Sequence, residues 1–404
     1  MEQTARNTLI GEALAHALHD TWYGVAPILL ASVSGPLRLN NGDIGLMILV
    51  YQAVSSVTQP FFGRLSERYG GRSFAVGSII WTALIFTGVL FADSKLLLTV
   101  LIGLAGLGSG AFHPQGTANS TLAGGSRLGA TATSLFFFGG TVGTALLGAA
   151  LGGFLIAEFG RQSLVAISIL NVTLALVFVR RLVPKELSLP AHVDTAQPRS
   201  GAEGGRIVWI ILAVLLGAIA LRALSQQAIV TYVPKFQEDL GVSPAVYGGL
   251  MSLFLGAVAV GGVLGSYLSD RLGIGRILVS SLMLTALGLW GFVAFQGAAS
   301  YAALGVAGFF LGPSHTLLLV SGQRRFPQRM AMVSGIFLGF GFVSGAVGTW
   351  LLGLLADSAG LASTLGLLPI IVAVNGVLAL LATTLGTRKR ATVTLESPSG
   401  AAVR

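Results

Sequence analysis

No cysteine occurs in this chain of 404 residues, and only 10% of its side chains are charged. The first absence excludes disulfides, thiol catalysis and cysteine-ligated metal centres. The second is incompatible with water on every face, because soluble domains carry roughly 25% charged residues. Nucleotide-binding patterns are also missing. There is no Walker lysine motif, and the alternating Gly106, Gly108 and Gly110 and the Gly339-Phe340-Gly341 run follow no strand, so ATP-driven transport is not supported. No metalloprotease pattern is present. These absences together predict a protein that is not an enzyme and needs no cofactor or resident metal.

What the chain has is apolar length: 53% hydrophobic residues, 56 glycines and a mean hydropathy of +0.82. A membrane-crossing helix needs about 20 mostly apolar residues. Runs near 9–35, 43–62, 73–92, 96–118, 130–157 and 163–182 meet this, followed by 207–233, 246–268, 276–296, 299–320, 331–356 and 364–386. They are too long and too uniform for barrel strands. The expected fold is therefore all-α and integral to a membrane, with twelve transmembrane helices in two six-helix bundles, 1–182 and 207–387. Residues 183–206, rich in proline, glycine and charge, read as a cytoplasmic linker, and 388–404 as a cytoplasmic tail. The first run carries Glu12, His16, His19 and Asp20, which is inconsistent with a cleaved signal peptide.

Lysine and arginine set the orientation. Of the 24, all but Arg38, Lys95, Arg161, Lys235 and the intrahelical Arg222 fall on one side of the predicted bundle. That side is expected to be cytoplasmic and to carry both termini. The net charge of +9 lies in short gaps between apolar runs, so the expected partner is the lipid bilayer and not nucleic acid.

The two halves repeat. LSERYG (65–70) matches LSDRLG (268–273), His113 after Gly110 matches His315 after Gly312, and VGTALLG (142–148) matches VGTWLLG (347–353). Pro27 and Pro234 add a fourth pair, all at shifts of 202–207 residues. Two parallel repeats place a substrate site at their interface near the membrane midplane.

The segment GRLSERYGGR (63–72), with its weaker copy YLSDRLGIGR (267–276), resembles the signature of the major facilitator superfamily. Between two membrane helices it reads as a tight charged turn. The resemblance implies that Gly63, Glu67, Arg68, Gly70, Arg72, Asp270 and Arg271 form a conformational latch between the halves. Three stretches narrow the likeness: His16-Ala17-Leu18-His19-Asp20, GSGAFHPQG (108–116) and Leu221-Arg222 resemble the fosmidomycin-resistance branch, whose members are proton-coupled exporters. One departure is clear. In Gly148-Ala149-Ala150-Leu151-Gly152-Gly153, alanine stands where the antiporter signature carries proline.

Ionisable groups inside membrane helices are costly, so each is a functional candidate. Glu12, His16, His19, Asp20 and Tyr23 recur at helical spacing and share one face of the first helix. His113 and Gln115 fall in the fourth helix, Arg222 in the seventh and His315 in the tenth. In the superfamily these four helices line the cavity. The expected assignment gives proton coupling to Asp20, His19 and Glu12, and cargo binding to Arg222, His113, His315, His16, Tyr23 and Gln115. Gln52, Gln59 and Asn119 are weaker cavity candidates. Alternatives remain at this level: Asp20 and Arg222 as a structural ion pair, His113-Pro114 as a kink, His315 as a packing residue. The implied function is a monomeric, proton-coupled exporter of a small anionic or zwitterionic molecule in the inner membrane, with proton-symport uptake or a non-transporting sensor as rivals.

Overall fold

The computed structural model describes residues 3–185, 206–325 and 330–393. Among them every regular element is helical. The N-terminal half comprises α1 (Gln3–Val33), α2 (Asn41–Tyr69), α3 (Gly71–Leu90), α4 (Lys95–Gly125), α5 (Ala132–Phe159) and α6 (Arg161–Leu182). The C-terminal half comprises α7 (Arg206–Asp239), α8 (Pro244–Leu272), α9 (Ile274–Ala294), α10 (Gly297–Arg325), α11 (Met330–Ala359) and α12 (Leu361–Thr384). Eleven of these helices are long and apolar enough to cross a membrane. The twelfth, α1, is long enough, but its row of Glu12, His16, His19 and Asp20 dilutes its apolar character. The linker expected at 183–206 lies outside the described residues except at its edges. Of the expected tail, 394–404 lie outside them, while the last helix continues to Val393.

The signature segment is not the tight charged turn its composition suggests. Gly63 to Tyr69 form the last two turns of α2, and the chain reverses at Gly70 alone. Its copy behaves alike, with α8 running to Leu272 and reversing at Gly273. The φ angles of Gly70 and Gly273 are 87° and 91°, a region that only glycine occupies without strain. Charged side chains at a helix end that leaves the apolar layer stay solvated while the backbone keeps its hydrogen bonds, so charge alone does not end the helix.

Within the N-terminal half, α5 lies against α1 through glycines. A Cβ on Gly139 would lie 2.9 Å from the carbonyl carbon of Ala13, one on Gly143 2.7 Å from Ala17 Cα, and one on Gly148 2.8 Å from Gly24 Cα. The step from 143 to 148 is five residues, one too many for a straight α-helical face. Residues Gly143–Ala150 absorb it by adopting π-helical turns, whose wider winding brings Gly148 back to α1.

The halves meet where α2 packs on α11, α5 on α8 and α1 on α7. Gly153 and Gly248 bring α5 and α8 to backbone contact, and Gly45 and Gly353 do the same for α2 and α11. Asp357 of α11 accepts from the Asn41 backbone N–H (2.7 Å), the Asn41 side-chain amide (3.0 Å) and the Gly42 N–H (2.9 Å). A carboxylate is well placed at a helix N-terminus. Tyr232 donates to the carbonyls of Thr349 (2.7 Å) and Asn41 (3.2 Å). These contacts seal the end of the bundle that carries the α1–α2 and α7–α8 turns.

Candidate ion and substrate sites in the cavity

α1 turns His16, His19 and Asp20 toward α4, which supplies His113 from its own Gly-rich stretch. Three imidazoles converge on one carboxylate. His16 Nε2 lies 3.0 Å from Asp20 Oδ2, His19 Nδ1 3.1 Å and His113 Nε2 3.6 Å from Asp20 Oδ1. The Asp20 side chain is 17% exposed and that of His113 27%, whereas His16 and His19 are buried. The carboxylate therefore opens to the cavity beside His113.

Backbone partners decide which ring nitrogens carry hydrogen. The Phe136 carbonyl lies 2.8 Å from His16 Nδ1, and the Ser109 carbonyl 3.0 Å from His113 Nδ1. A carbonyl only accepts, so both Nδ1 atoms are donors. Both Nε2 atoms facing Asp20 are then proton acceptors in the neutral rings and donors once the rings are charged. His19 differs: its Nδ1 faces the carboxylate and its Nε2 lies 3.4 Å from the Thr82 hydroxyl. One ring nitrogen each of His16 and His113 and a carboxylate oxygen of Asp20 lie within 4.8 Å of one another, a spacing that suits shared protons and is within reach of a small cation.

Two residues that sequence reasoning missed hold this cluster. Phe136 stacks on His16 with ring centroids 4.0 Å apart. Gly140 gives the same ring its space, since a Cβ there would lie 2.7 Å from His16 Cδ2. Their small-residue and aromatic pattern in α5 is visible in the sequence, but nothing there points to His16.

Arg222 does not pair with Asp20. Its Nη2 donates to Gln226 Oε1, its Nε lies 3.4 Å from Ser314 Oγ, and it makes no ion pair among the described residues. His315 is exposed on the same wall and makes no hydrogen bond among the described residues. Both residues line one pocket of about 420 Å³, its open mouth included, between α7, α10 and α11. The rest of the lining is apolar, including Ile219, Leu319, Phe337 and Phe342. Thus the two charged centres sit in different halves. Between them Tyr23 donates to Gln227 Oε1 (2.7 Å) and lies 3.4 Å from Gln52 Nε2.

Glu12 and Gln115 sit elsewhere. Glu12 is fully buried; Oε1 accepts from Asn119 Nδ2 at 2.6 Å, and Oε2 has no hydrogen-bond partner among the described residues. Gln115 is buried beside the same asparagine, 3.1 Å away. Of the signature residues, Glu67, Arg68, Asp270 and Arg271 are exposed, and neither Glu67 nor Asp270 makes an ion pair among the described residues. Gly63 lies against Pro114, a Cβ there falling 3.5 Å from the proline Cβ. Arg72 Nε donates to the Val183 carbonyl at 2.7 Å and ties α3 to the end of α6.

A twofold helical bundle with this cavity invites comparison with known transporters. The model of the Major Facilitator Superfamily matches residues 13–349 and again 215–402. The chain belongs to this superfamily. It is a multi-pass membrane transporter, and the second match repeats over the C-terminal half. Among superfamily relatives, the fosmidomycin resistance protein of Escherichia coli (strain K12) is 28% identical over 366 residues, covering 85% of each chain. An uncharacterised MFS-type transporter of Bacillus subtilis (strain 168) is 28% identical over 365 residues, covering 88% of each. A gentisate transporter of Corynebacterium glutamicum is 24% identical over 353 residues, covering 82% of this chain and 76% of its own. The fold is also that of a bacterial homologue of the human lysosomal transporter Spinster, solved inward-facing and unoccupied, with a TM-score of 0.75 at 14% identity over 96% of this chain and 98% of that one. The nucleoside transporter NupG aligns with a TM-score of 0.68 at 15% identity over 95% and 99%.

Proposed function

We propose that this chain is a proton-coupled exporter of a small organic anion, working as a monomer by alternating access in the inner membrane, with both termini and the linker cytoplasmic. The observation that carries the reading is the division of charge between the two halves. Asp20 with His16, His19 and His113 forms a proton-holding centre in the N-terminal half. Arg222 with His315 forms an anion-holding centre in the C-terminal half.

A proton taken up at Asp20 or at an imidazole Nε2 changes the charge at one end of the Tyr23–Gln227 bond. Cargo on Arg222 changes it at the other, next to Gln226. Each half thereby reads its own ligand, and their relative rocking exchanges one for the other. The Asn41–Asp357 end is the outer gate, closed here. The exposed Glu67 and Asp270 belong to the inner latch, which engages when the opposite end closes. Similarity to the fosmidomycin resistance protein supports export.

Purified protein in proteoliposomes with an imposed pH gradient, offered a panel of organic anions, tests this. Cargo should move against the proton flow and stop when a protonophore is added. Flux that ignores the gradient would refute the coupling. Alanine in Gly148-Ala149-Ala150, where the antiporter signature carries proline, favours a second reading: uptake by proton symport through the same residues. Cargo moving with the protons in that assay would select it.

A further inference from the structure

The pocket beside Arg222 carries chemical detail that goes beyond an anion site. Its charged head is a single guanidinium whose contacts, Gln226 and Ser314, are both neutral. Nη1 has no partner among the described residues. A cation set in an apolar wall without a counter-charge is left waiting for one negative group, and arginine meets a carboxylate with two parallel hydrogen bonds. The ring of His315, which makes no hydrogen bond among the described residues, offers one more to the same head. Behind the head the pocket turns apolar: Ile219, Leu319, Phe337 and the exposed Phe342 face the space, and Gly341 leaves it unfilled.

We propose that this pocket selects an organic monoanion with a flat apolar body, an aromatic or fused-ring carboxylate in kind, over dianions and over small hydrophilic anions. The inference rests on the anion-exporter reading above. One guanidinium neutralises one charge. A second charge on the cargo would lie against Phe337, Phe342 or Ile219 and lose its water without compensation. A cargo with no apolar body would leave those side chains unmatched and gain nothing from them.

The test is equilibrium binding in detergent or nanodiscs, without any gradient, by isothermal titration with acetate, benzoate, 2-naphthoate, phthalate and phosphonoacetate. Affinity should rise several-fold from acetate to benzoate and again to naphthoate. Phthalate and phosphonoacetate should bind at least tenfold more weakly than benzoate. Arg222→Gln should abolish binding of every anion. Phe342→Ala, at an exposed position, and Gly341→Leu, which fills the space beside Ile219, should each remove most of the naphthoate preference over acetate. Melting curves for each variant separate lost binding from lost folding. Equal or tighter binding of the dianions, or affinity indifferent to apolar area, overturns the proposal. Naphthoate binding with no gradient-driven flux would sink the exporter reading and leave the pocket's selectivity standing.

Discussion

Tyr23 and Gln227 form a 2.7 Å hydrogen bond that joins α1 to α7, and so the two charged centres of the cavity are linked across the line where the halves part. The bond lies one residue beyond Gln226, which holds Arg222, and three residues beyond Asp20 on the other side. Rocking the halves apart must break it. Such a bond stabilises by about 1 kcal/mol, or roughly a fivefold shift in population. Tyr23→Phe should therefore speed the opening of this closed end and lower the degree of coupling, while cargo affinity at saturating pH stays within about twofold. Stopped-flow counterflow separates the two effects; a large loss of affinity with an unchanged rate would place Tyr23 in the cargo site instead.

Asp357 should act as the outer latch. Its carboxylate holds the first two N–H groups of α2 from the opposite half, and charge-assisted hydrogen bonds contribute about 1.5–3 kcal/mol each. Asp357→Ala should shift the population toward outward-open forms by tenfold or more. The natural absence of cysteine makes the readout simple, since a single cysteine introduced at Ala149 would report access from that side. Unchanged labelling rates would show that the glycine seams alone hold the gate shut.

Those seams have their own test. Gly248 faces Gly153 so closely that a Cβ would fall 3.1 Å from Gly153 Cα. Leucine at 248 should leave the protein folded, with its N-terminal bundle intact, but unable to close at this end. Transport should be lost while thermal stability changes little. A collapse in expression or melting temperature together with transport would instead mean that the seam is structural.

Glu12 invites a narrower substitution. It is buried with Oε2 unpartnered and no cation within ion-pair distance among the described residues. A buried charge without compensation is expensive. Glu12→Gln preserves the Asn119 contact in outline and mimics a carboxyl that keeps its proton. If Glu12 exchanges protons during transport, the variant should fold normally and flatten the pH dependence of flux. An identical pH profile assigns Glu12 to packing alone.

Much of this architecture was legible in the chain. Apolar length gave the twelve helices, the repeat gave two bundles, and the costly residues fell on α1, α4, α7 and α10. What the spacing of residues on separate helices does not encode is their relative rotation. Hence the sequence left open whether Asp20 and Arg222 pair, and it grouped His113 with Arg222 for cargo; the structure instead puts His113 at Asp20 and leaves Arg222 with His315. The charge-rich signature reads as a turn, yet helix persists to Gly70. The five-residue step between Gly143 and Gly148 has no meaning until π-helical winding realigns the seam. Phe136 and Gly140 were invisible because one acts on His16 through its carbonyl and ring and the other through the absence of a side chain.

The separation of the two centres is the core of the account, and one paired flux measurement addresses it. In proteoliposomes, Asp20→Asn should retain cargo exchange at equal pH on both sides and lose uptake or release driven by a pH gradient. Arg222→Gln should lose both. If Asp20→Asn keeps wild-type gradient-driven flux, or if it abolishes equal-pH exchange as completely as Arg222→Gln, then the proton and the cargo are not held by separate halves and the account fails.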